Sequence, residues 1–122
     1  MNSLYGILMA IFFVFLALPG LAQYKGPGAA AKLLTVKEVT KTAYKLDRND
    51  ARVKLHGFII EQINGDTFWF QDTTGKIRIE IEKDQIPAVP FDDKTELFIV
   101  GEVDYDLLEG TEIEVEHLEI KK

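Results

Sequence analysis

Polar and apolar side chains alternate along residues 67–82, and this period of two predicts a β-hairpin with one apolar face and one polar face. The segment Asp72-Thr73-Thr74-Gly75 is the predicted turn between its strands. Asn64-Gly65 lies just before the hairpin and favours a second tight turn, so another strand is predicted upstream. The apolar side of the hairpin consists of Phe68, Phe70, Ile77, Ile79 and Ile81.

The alternation continues in three further segments, so five strands are predicted in all. These segments are residues 52–63, 96–104 and 111–120. Gly57 lies inside the first of them, where a glycine often marks a bend or a bulge. Leu118 and Ile120 break the alternation of the last one, which predicts a bulge near the end of the chain.

A helix is predicted before the first strand. Thr35 and Glu38 have the spacing of a capping box, and apolar side chains follow at helical spacing through Leu46. Between the third and fourth strands, two prolines within residues 84–93 exclude a central strand and predict a loop or a short helix. This order of elements predicts an all-β, five-stranded OB-fold barrel with a short N-terminal helix, Thr35–Leu46. An open β-sandwich is the alternative.

Residues 1–22 have the features of a signal peptide. A 12-residue apolar run, Ile7–Leu18, is too short to span a membrane and precedes Gly20 and Ala22, the small residues that signal peptidase recognises. We therefore expect cleavage between Ala22 and Gln23, and a periplasmic protein. Because no Lys or Arg precedes the apolar run, an uncleaved membrane anchor stays open as the alternative.

The rest of the chain divides into a spacer and one domain. Residues 23–34 begin with a Gly-, Ala- and Pro-rich stretch and are predicted to be a flexible spacer, and residues 35–122 form the OB-fold domain. Residues 23–54 carry 8 basic and 3 acidic side chains, a balance of +5, whereas residues 55–122 carry 6 and 17, a balance of −11. The acidic part repels phosphate backbones, so a nucleic acid is disfavoured as a partner and cationic partners are favoured.

Three blocks of sequence stand out as a set. They are Asp72-x-Thr74-Gly75, Gly101-Glu102-Val103-Asp104 and Glu112-Ile113-Glu114-Val115. With the leading helix and the N-terminal apolar segment, they resemble the bacterial OB-fold (BOF) family, small periplasmic proteins of the NirD/YgiW/YdeI type. The resemblance runs from about Thr35 to Ile120. It implies an OB fold, a periplasmic location and a role in stress tolerance.

Several chemistries are excluded by residue type. The chain has no Cys and its only Ser is Ser3, inside the predicted signal peptide, so no Ser or Cys nucleophile is available after cleavage. The chain also lacks a Gly-rich phosphate loop and a zinc-protease motif. His56 and His117 lie on different predicted strands, and the acidic run at residues 104–109 lacks the glycine of an EF-hand loop. We therefore predict no metal site, no cofactor and no enzymatic activity.

Binding is predicted on the outer face of the second and third strands, a surface that OB folds commonly use. The candidate ligand-binding residues are Trp69, Arg78, Lys76, Gln71, His56 and Tyr105. An exposed Trp69 would suit stacking on a sugar ring or another flat ligand. Alternatively, Trp69 packs under the leading helix or the N-terminal spacer as a core residue. The expected ligand is a small molecule, a glycan fragment of the cell wall or a cationic peptide. The second hypothesis is a protein-interaction adaptor that docks on an envelope protein and takes no small ligand.

Overall fold

The computed structural model describes residues 31–122, so the predicted signal peptide and the part of the predicted spacer before residue 31 lie outside the described residues. Within this part of the chain the strands are β1 (Lys32–Leu33), β2 (Arg52–Gln62), β3 (Thr67–Asp72), β4 (Gly75–Glu80), β5 (Leu97–Asp106) and β6 (Gly110–Ile120). The helices are α1 (Val36–Lys41), α2 (Ala43–Arg48) and a 3-10 helix at Lys83–Gln85. The 3-10 helix agrees with the loop or short helix predicted for residues 84–93.

Strands β2 to β6 close into a five-stranded barrel. Their order in the sheet is β2-β3-β4-β6-β5, and antiparallel pairing of β2 with β5 completes the ring. Strands β4 and β6 run parallel, with Arg78 opposite Glu112. Parallel neighbours need a long connection, which the 3-10 helix and β5 provide here. The closed ring confirms the predicted barrel and excludes the open sandwich.

Strand β2 pairs with two strands of the barrel and changes partner after Gly57. Its first half, through Gly57, pairs with β5, and its second half pairs with β3. A β-carbon at Gly57 would collide with the backbone oxygen of Gln71, so glycine permits this close approach of β2 to β3. The register of the β2–β3 pair then shifts between Ile59 and Glu61. Gly57 therefore marks the change of partner, and the bulge of this strand lies three residues further on, at Ile60.

The bulge predicted near the end of the chain lies at Glu116 in β6. The β5–β6 register shifts between Val100 and Gly101, which leaves Glu116 as an extra residue in β6. Val115 and Leu118 are both buried, although strict alternation from Val115 would expose Leu118. The bulge therefore lets both halves of β6 face the core.

The barrel interior is one apolar cluster. The inward side chains predicted for the hairpin are buried, and Phe70, Ile79 and Ile81 are fully inaccessible to solvent. Val36 and Val39 of α1 belong to the same cluster. Burial of each such side chain contributes about 1.5–3 kcal/mol relative to exposure, so the helix and the barrel stabilise one another.

The predicted helix Thr35–Leu46 is interrupted at Thr42. Its capping box is confirmed, because the Thr35 hydroxyl accepts the Glu38 N–H while the Glu38 carboxylate accepts the Thr35 N–H at 3.0 Å. Thr42 leaves helical geometry, and its hydroxyl joins its own N–H in donating to the Glu38 carbonyl. A second short helix then runs to Arg48. In the part of the chain that is described, no helix is long and apolar enough to cross a membrane.

Asp72 fastens α1 to the turn of the β3–β4 hairpin. One carboxylate oxygen accepts the Val36 N–H at 2.8 Å, and the other accepts the N–H groups of Thr74 at 2.7 Å and Gly75 at 3.2 Å. The Thr74 hydroxyl in turn accepts the Lys37 N–H at 3.0 Å. The first N–H groups of a helix have no partner within the helix, so the barrel supplies the acceptors that α1 needs.

The last residues of the predicted spacer belong to the fold. Strand β1 pairs in parallel with Val53 and Lys54 of β2, and the Leu34 N–H extends this ladder by donating to the Lys54 carbonyl at 2.9 Å. The prediction of a flexible spacer is therefore wrong for residues 32–34. Main-chain hydrogen bonds need no particular side chain, so composition gave no sign of this pairing.

Replacing Asp72 with alanine is expected to lower the free energy of unfolding by roughly 1–2 kcal/mol, because backbone N–H groups lose their acceptor. Burial raises the pKa of Asp72, but the hydrogen bonds from Thr74, Val36 and Gly75 together lower it by more. The folded-state pKa therefore lies below the usual value of 3.8. The stabilisation is therefore complete above the unfolded-state pKa and is lost as the pH falls through the folded-state pKa. Urea denaturation at about pH 7 and about pH 3 would measure it.

The matched control is Asp93→Ala, since Asp93 is an exposed carboxylate in the loop before β5. We expect this variant to change stability by less than about 0.5 kcal/mol. Equal losses in the two variants, or a loss in Asp72→Ala that persists unchanged in acid, would contradict the assigned role of Asp72.

Candidate functional site: an acidic face beside Trp69

The outward side chains of the barrel strands form two neighbouring rows. The first row contains Glu61, Trp69, Arg78, Glu112 and Asp104. The second row contains Thr67, Glu80, Glu114 and Glu102. We call the carboxylates on β4, β5 and β6 the acidic face: Glu80, Glu102, Asp104, Glu112 and Glu114. The parallel pairing of β4 with β6 brings them together from distant parts of the chain.

Crowding on the acidic face affects two of its glutamates. Burial raises the pKa of Glu112, and the neighbouring carboxylate of Glu80 raises it further. Burial also raises the pKa of Glu114, with Asp104 and Glu80 adding to the effect. The ionised forms of Glu112 and Glu114 are therefore destabilised by the negative charge of neighbouring carboxylates. A bound cation would relieve this repulsion.

Arg78 is the cation within the first row. Its guanidinium donates to the carbonyl of Glu109, at the tip of the β5–β6 hairpin. The ion pairs among the described residues involve Arg52, His56 and Lys121, and none of them includes a carboxylate of the acidic face. Within the described chain, the negative charge of this face is therefore only partly balanced.

Trp69 is half-buried in the first row and lies outside the apolar core. The ammonium nitrogen of Lys76 lies 4.7 Å from the centroid of the indole ring, a cation–π contact. Trp69 is therefore not part of the core under the helix, although the ring is not fully exposed either. Packing against residues 23–30 of the predicted spacer falls outside the described residues. A ligand that stacks on the covered side of the ring must compete with Lys76.

Gln71 completes the group around Trp69. It is exposed on β3, directly opposite Lys76 on β4, while Trp69 is directly opposite Arg78. The structure therefore brings four of the six predicted binding residues together on the outer face of β3 and β4. Their role in binding stays a prediction.

The other two predicted residues lie in separate clusters. His56 stacks on Phe98 with 4.7 Å between ring centroids, and its Nε2 is 3.3 Å from a Glu96 oxygen without hydrogen-bond geometry. Tyr105 lies within β5 and not in the last loop, and its N–H donates to Asp47 of α2 at 2.8 Å. The placement of Tyr105 in the last loop is therefore wrong, whereas a role of His56 and Tyr105 in binding stays a prediction.

A depression of about 340 Å³ adjoins the acidic face. Its polar lining consists of Glu80, Glu82, Glu114 and Glu116 together with Gln85 of the 3-10 helix. Glu116 pairs with Arg52 at 3.0 Å through one carboxylate oxygen, while the other oxygen is buried without a hydrogen-bond partner in the described structure. Four glutamates around one depression give it a negative lining, which suits a cationic side chain.

Metal binding has no ready-made site in the described region. Residues 31–122 contain no group of three or more His, Cys, Asp or Glu side chains placed to hold a metal ion. His56 lies on β2 and His117 on β6, and β5 runs between these strands. Two histidines on strands that are not neighbours do not make a shared ligand pair.

Sequence reasoning missed the acidic face as a unit. The alternation in β6 already placed Glu112 and Glu114 outward, but nothing local indicates that Glu80 lies beside them. The signal was the repeated Glu at every second position in two strands. These glutamates form one surface only because β4 pairs in parallel with β6, and local sequence does not indicate a pairing between such distant segments.

Replacing Glu114 with glutamine removes a carboxylate that its neighbours repel, so the free energy of unfolding at neutral pH is expected to rise. The gain is only a few tenths of a kcal/mol, because solvent screens this exposed site. The folded-state pKa of Glu114 is raised by burial and then by Asp104 and Glu80, so its ionised form costs the folded protein energy above that pKa. The gain should disappear as the pH falls below the unfolded-state pKa, where the wild-type carboxyl is already neutral. Thermal unfolding at several pH values would measure it.

Glu119→Gln provides the comparison, since Glu119 is exposed on the same strand but outside the acidic face. A stability gain of equal size in Glu119→Gln, or a gain in Glu114→Gln that is independent of pH, would contradict the crowding of carboxylates.

Known relatives agree with this architecture. Residues 19–120 match the model of the family described as Bacterial OB fold (BOF) protein. The chain is similar to the calcium-regulated OB-fold protein CarO of Pseudomonas aeruginosa, with 38% identity over 115 residues that cover 94% of each chain. Protein YgiW of Escherichia coli strain K12 is 33% identical over 75 residues, which cover 62% of this chain and 55% of YgiW.

Solved structures resemble the barrel as well. The structure of the hypothetical protein ygiW from E. coli has a TM-score of 0.65 at 31% identity, and the match covers 81% of this chain and 100% of that one. The S. pombe Stn1–Ten1 complex has a TM-score of 0.57 at 17% identity, covering 82% of this chain and 80% of that one, and this likeness shows the fold alone. The match to the family model and the identity with CarO over most of both chains show that this protein belongs to the bacterial OB-fold family.

Proposed function

We propose that this protein is an exported binding protein of the bacterial cell envelope that takes a cationic peptide on the acidic face. One observation carries the proposal: carboxylates from three strands lie side by side, and the pKa values of Glu112 and Glu114 are raised there by burial and by neighbouring carboxylates. Lysine or arginine side chains of a peptide would relieve this repulsion. A cation that binds such a face gains more than it would at an isolated carboxylate.

The depression beside the acidic face offers a place for one cationic side chain. Its volume is about 340 Å³, and Glu82 and Glu114 contribute to its lining. A lysine ammonium or an arginine guanidinium could donate to these carboxylates, and a charge-assisted hydrogen bond of this kind is stronger than a neutral one.

Trp69 offers a second contact for the same ligand. The cation–π contact with Lys76 shows that the indole ring accepts a cation at 4.7 Å in the free protein. A lysine or arginine of the peptide could take the place of Lys76 on that side of the ring. A neutral sugar would have to displace Lys76 without replacing its charge, and a nucleic acid would meet the acidic face with like charge.

Export and a role in stress tolerance complete the proposal. The 12-residue apolar run with Gly20 and Ala22 after it supports cleavage before Gln23 and release into the periplasm. Membership of the bacterial OB-fold family supports a binding role rather than an enzymatic one. We place that role in tolerance of stress at the cell envelope.

Hexalysine is the peptide that tests this proposal. We expect it to bind more weakly as salt is raised, because the contacts are ionic, and more weakly as the pH falls through the raised pKa values of Glu112 and Glu114. Trp69 is the only tryptophan, so its fluorescence reports binding beside it. The double variant Glu112→Gln/Glu114→Gln should bind about five- to tenfold more weakly, as two exposed ionic contacts are lost.

The control variant Asp93→Asn/Glu119→Gln removes the same charge outside the acidic face and should bind hexalysine almost as the wild type does. Equal weakening in the two double variants would contradict a specific site. A saturable response of Trp69 to a chito-oligosaccharide, with none to hexalysine, would replace the cationic peptide with a glycan as the ligand.

A protein-interaction adaptor is the second candidate, and the tip of the β5–β6 hairpin favours it. Leu107 and Leu108 are 82% and 94% exposed there, side by side. Arg78 binds the carbonyl of Glu109 and so ties this tip to β4. Two adjacent exposed leucines on a tethered tip are suited to enter an apolar pocket of an envelope protein.

Exchange of both leucines for serine tests the adaptor hypothesis. Leu107→Ser/Leu108→Ser should abolish copurification of a specific envelope protein from solubilised envelopes, because the apolar contact at the tip is lost. Val89→Ser is the control, since Val89 is a 63% exposed apolar residue in another loop. Recovery of the same proteins by both variants would eliminate the hairpin tip as a docking element.

A further inference from the structure

A second depression, of about 400 Å³, lies between α1 and the start of β4. Three lysines line it, Lys37 and Lys41 from α1 and Lys76 from β4, and we call these three residues the lysine groove. Val36 and Gly75 also belong to its lining. The charge of this depression is opposite to that of the acidic face, so it calls for a different ligand.

The three lysines line one depression because α1 is fixed to the hairpin turn. Lys37 and Lys41 are four residues apart and therefore lie on one side of the helix. The Lys37 N–H donates to the Thr74 hydroxyl at 3.0 Å, which holds the start of α1 against the turn that leads into Lys76. Gly75 lies beside Val36 at the base of the depression, since a β-carbon on Gly75 would lie 3.6 Å from the Val36 side chain.

The lysines of the groove have no ion-pair partner among the described residues. None of the ion pairs among residues 31–122 includes Lys37, Lys41 or Lys76. Asp72, in the adjoining turn, already accepts the N–H groups of α1 and of its own turn. Glu38 is engaged in the capping box of α1. Three like charges around one depression repel each other, and an anion placed between them would relieve that repulsion.

The geometry points to the lysine groove as a binding site for a phosphate group. The hydroxyls of Thr40 and Thr74 already donate within the protein, so the ammonium groups are the donors that a ligand would meet. Lysine binds phosphate as a point charge with several donors, and a phosphate group offers enough oxygen atoms to accept from three ammonium groups at once. The groove is open, so the phosphate group can be free or carried on the headgroup of a lipid.

Lys76 makes this site observable. Its ammonium lies 4.7 Å from the centre of the Trp69 ring in the free protein. A phosphate group in the groove would draw the ammonium toward itself and weaken that contact, and Trp69 is the only tryptophan of the chain. Tryptophan fluorescence therefore reports occupation of the groove. The site uses none of the carboxylates of the acidic face, so it does not depend on the proposed peptide binding.

Titration with inorganic phosphate and pyrophosphate at constant ionic strength tests the site. We expect a saturable change in Trp69 fluorescence, with pyrophosphate binding more tightly because it carries more charge. Lys37→Gln/Lys41→Gln keeps the Lys76 reporter and should weaken binding about tenfold, as two charged contacts are lost. Lys45→Gln/Lys94→Gln removes the same charge outside the groove from two exposed lysines and should change affinity less than about twofold.

Vesicles distinguish the two sources of phosphate. Cosedimentation with phosphatidylglycerol vesicles, compared with phosphatidylcholine vesicles, measures recognition of a charged lipid headgroup. All variants have the same N-terminal segment as the wild type, so differences between them reflect the lysines alone. A response to pyrophosphate without binding to phosphatidylglycerol vesicles would identify a free phosphate compound as the ligand. Binding to these vesicles without a response to pyrophosphate would identify a lipid headgroup.

Two results would overturn the inference. One is no saturable response to phosphate or pyrophosphate together with no preference for phosphatidylglycerol. The other is an equal loss in Lys37→Gln/Lys41→Gln and Lys45→Gln/Lys94→Gln, which would indicate a response to net charge only. Retention of pyrophosphate binding in Glu112→Gln/Glu114→Gln would show that the groove acts independently of the acidic face, whereas its loss there would contradict a separate site.

Discussion

The contact of Asp72 with the first turn of α1 is the constraint on which the rest of the arrangement depends. Helix α1 has six residues, too few to be stable in isolation, so its N–H groups and its apolar side chains must find partners in the barrel. Asp72 and Thr74 provide acceptors for Val36 and Lys37. The same contact holds the basic side chains of the helix beside the start of β4. One turn of four residues thus determines both the packing of the helix and the place of its charges.

Surfaces of opposite charge meet on the β3–β4 hairpin. The acidic face includes Glu80 on β4, while Lys76 at the other end of the same strand belongs to the lysine groove. Trp69 lies between the two, opposite Arg78 and in contact with Lys76. A ligand that moves Lys76 would uncover one side of the indole ring, and a cation on that ring would release Lys76. Lys76 is therefore a side chain that both proposed sites would contact.

Local features of the fold could be predicted, whereas features that join distant segments could not. The hairpin, the irregularity of β2 near Gly57 and the bulge before Leu118 each leave a mark in the local sequence. The interruption at Thr42 escaped prediction because a side-chain hydroxyl shares a backbone acceptor there without altering the apolar spacing. Lys76 covers Trp69 from the adjacent strand, a contact that depends on rotamers. The acidic face forms only when β4 pairs with β6. About thirty residues of chain separate these two strands, and their pairing follows only from closure of the barrel.

The pairing of β1 with β2 also has a mechanical consequence. Its hydrogen bonds, with that of Leu34, lie across the direction of the strands, so a pull on the chain ahead of Lys32 loads them together in shear. Bonds loaded together resist force better than bonds opened one after another. If the preceding segment were attached to a membrane or to another protein, the paired strand β1 would hold the barrel along its length and not at a single flexible residue. The pairing would then restrict how far the barrel, with its two charged surfaces, can rotate relative to the attachment.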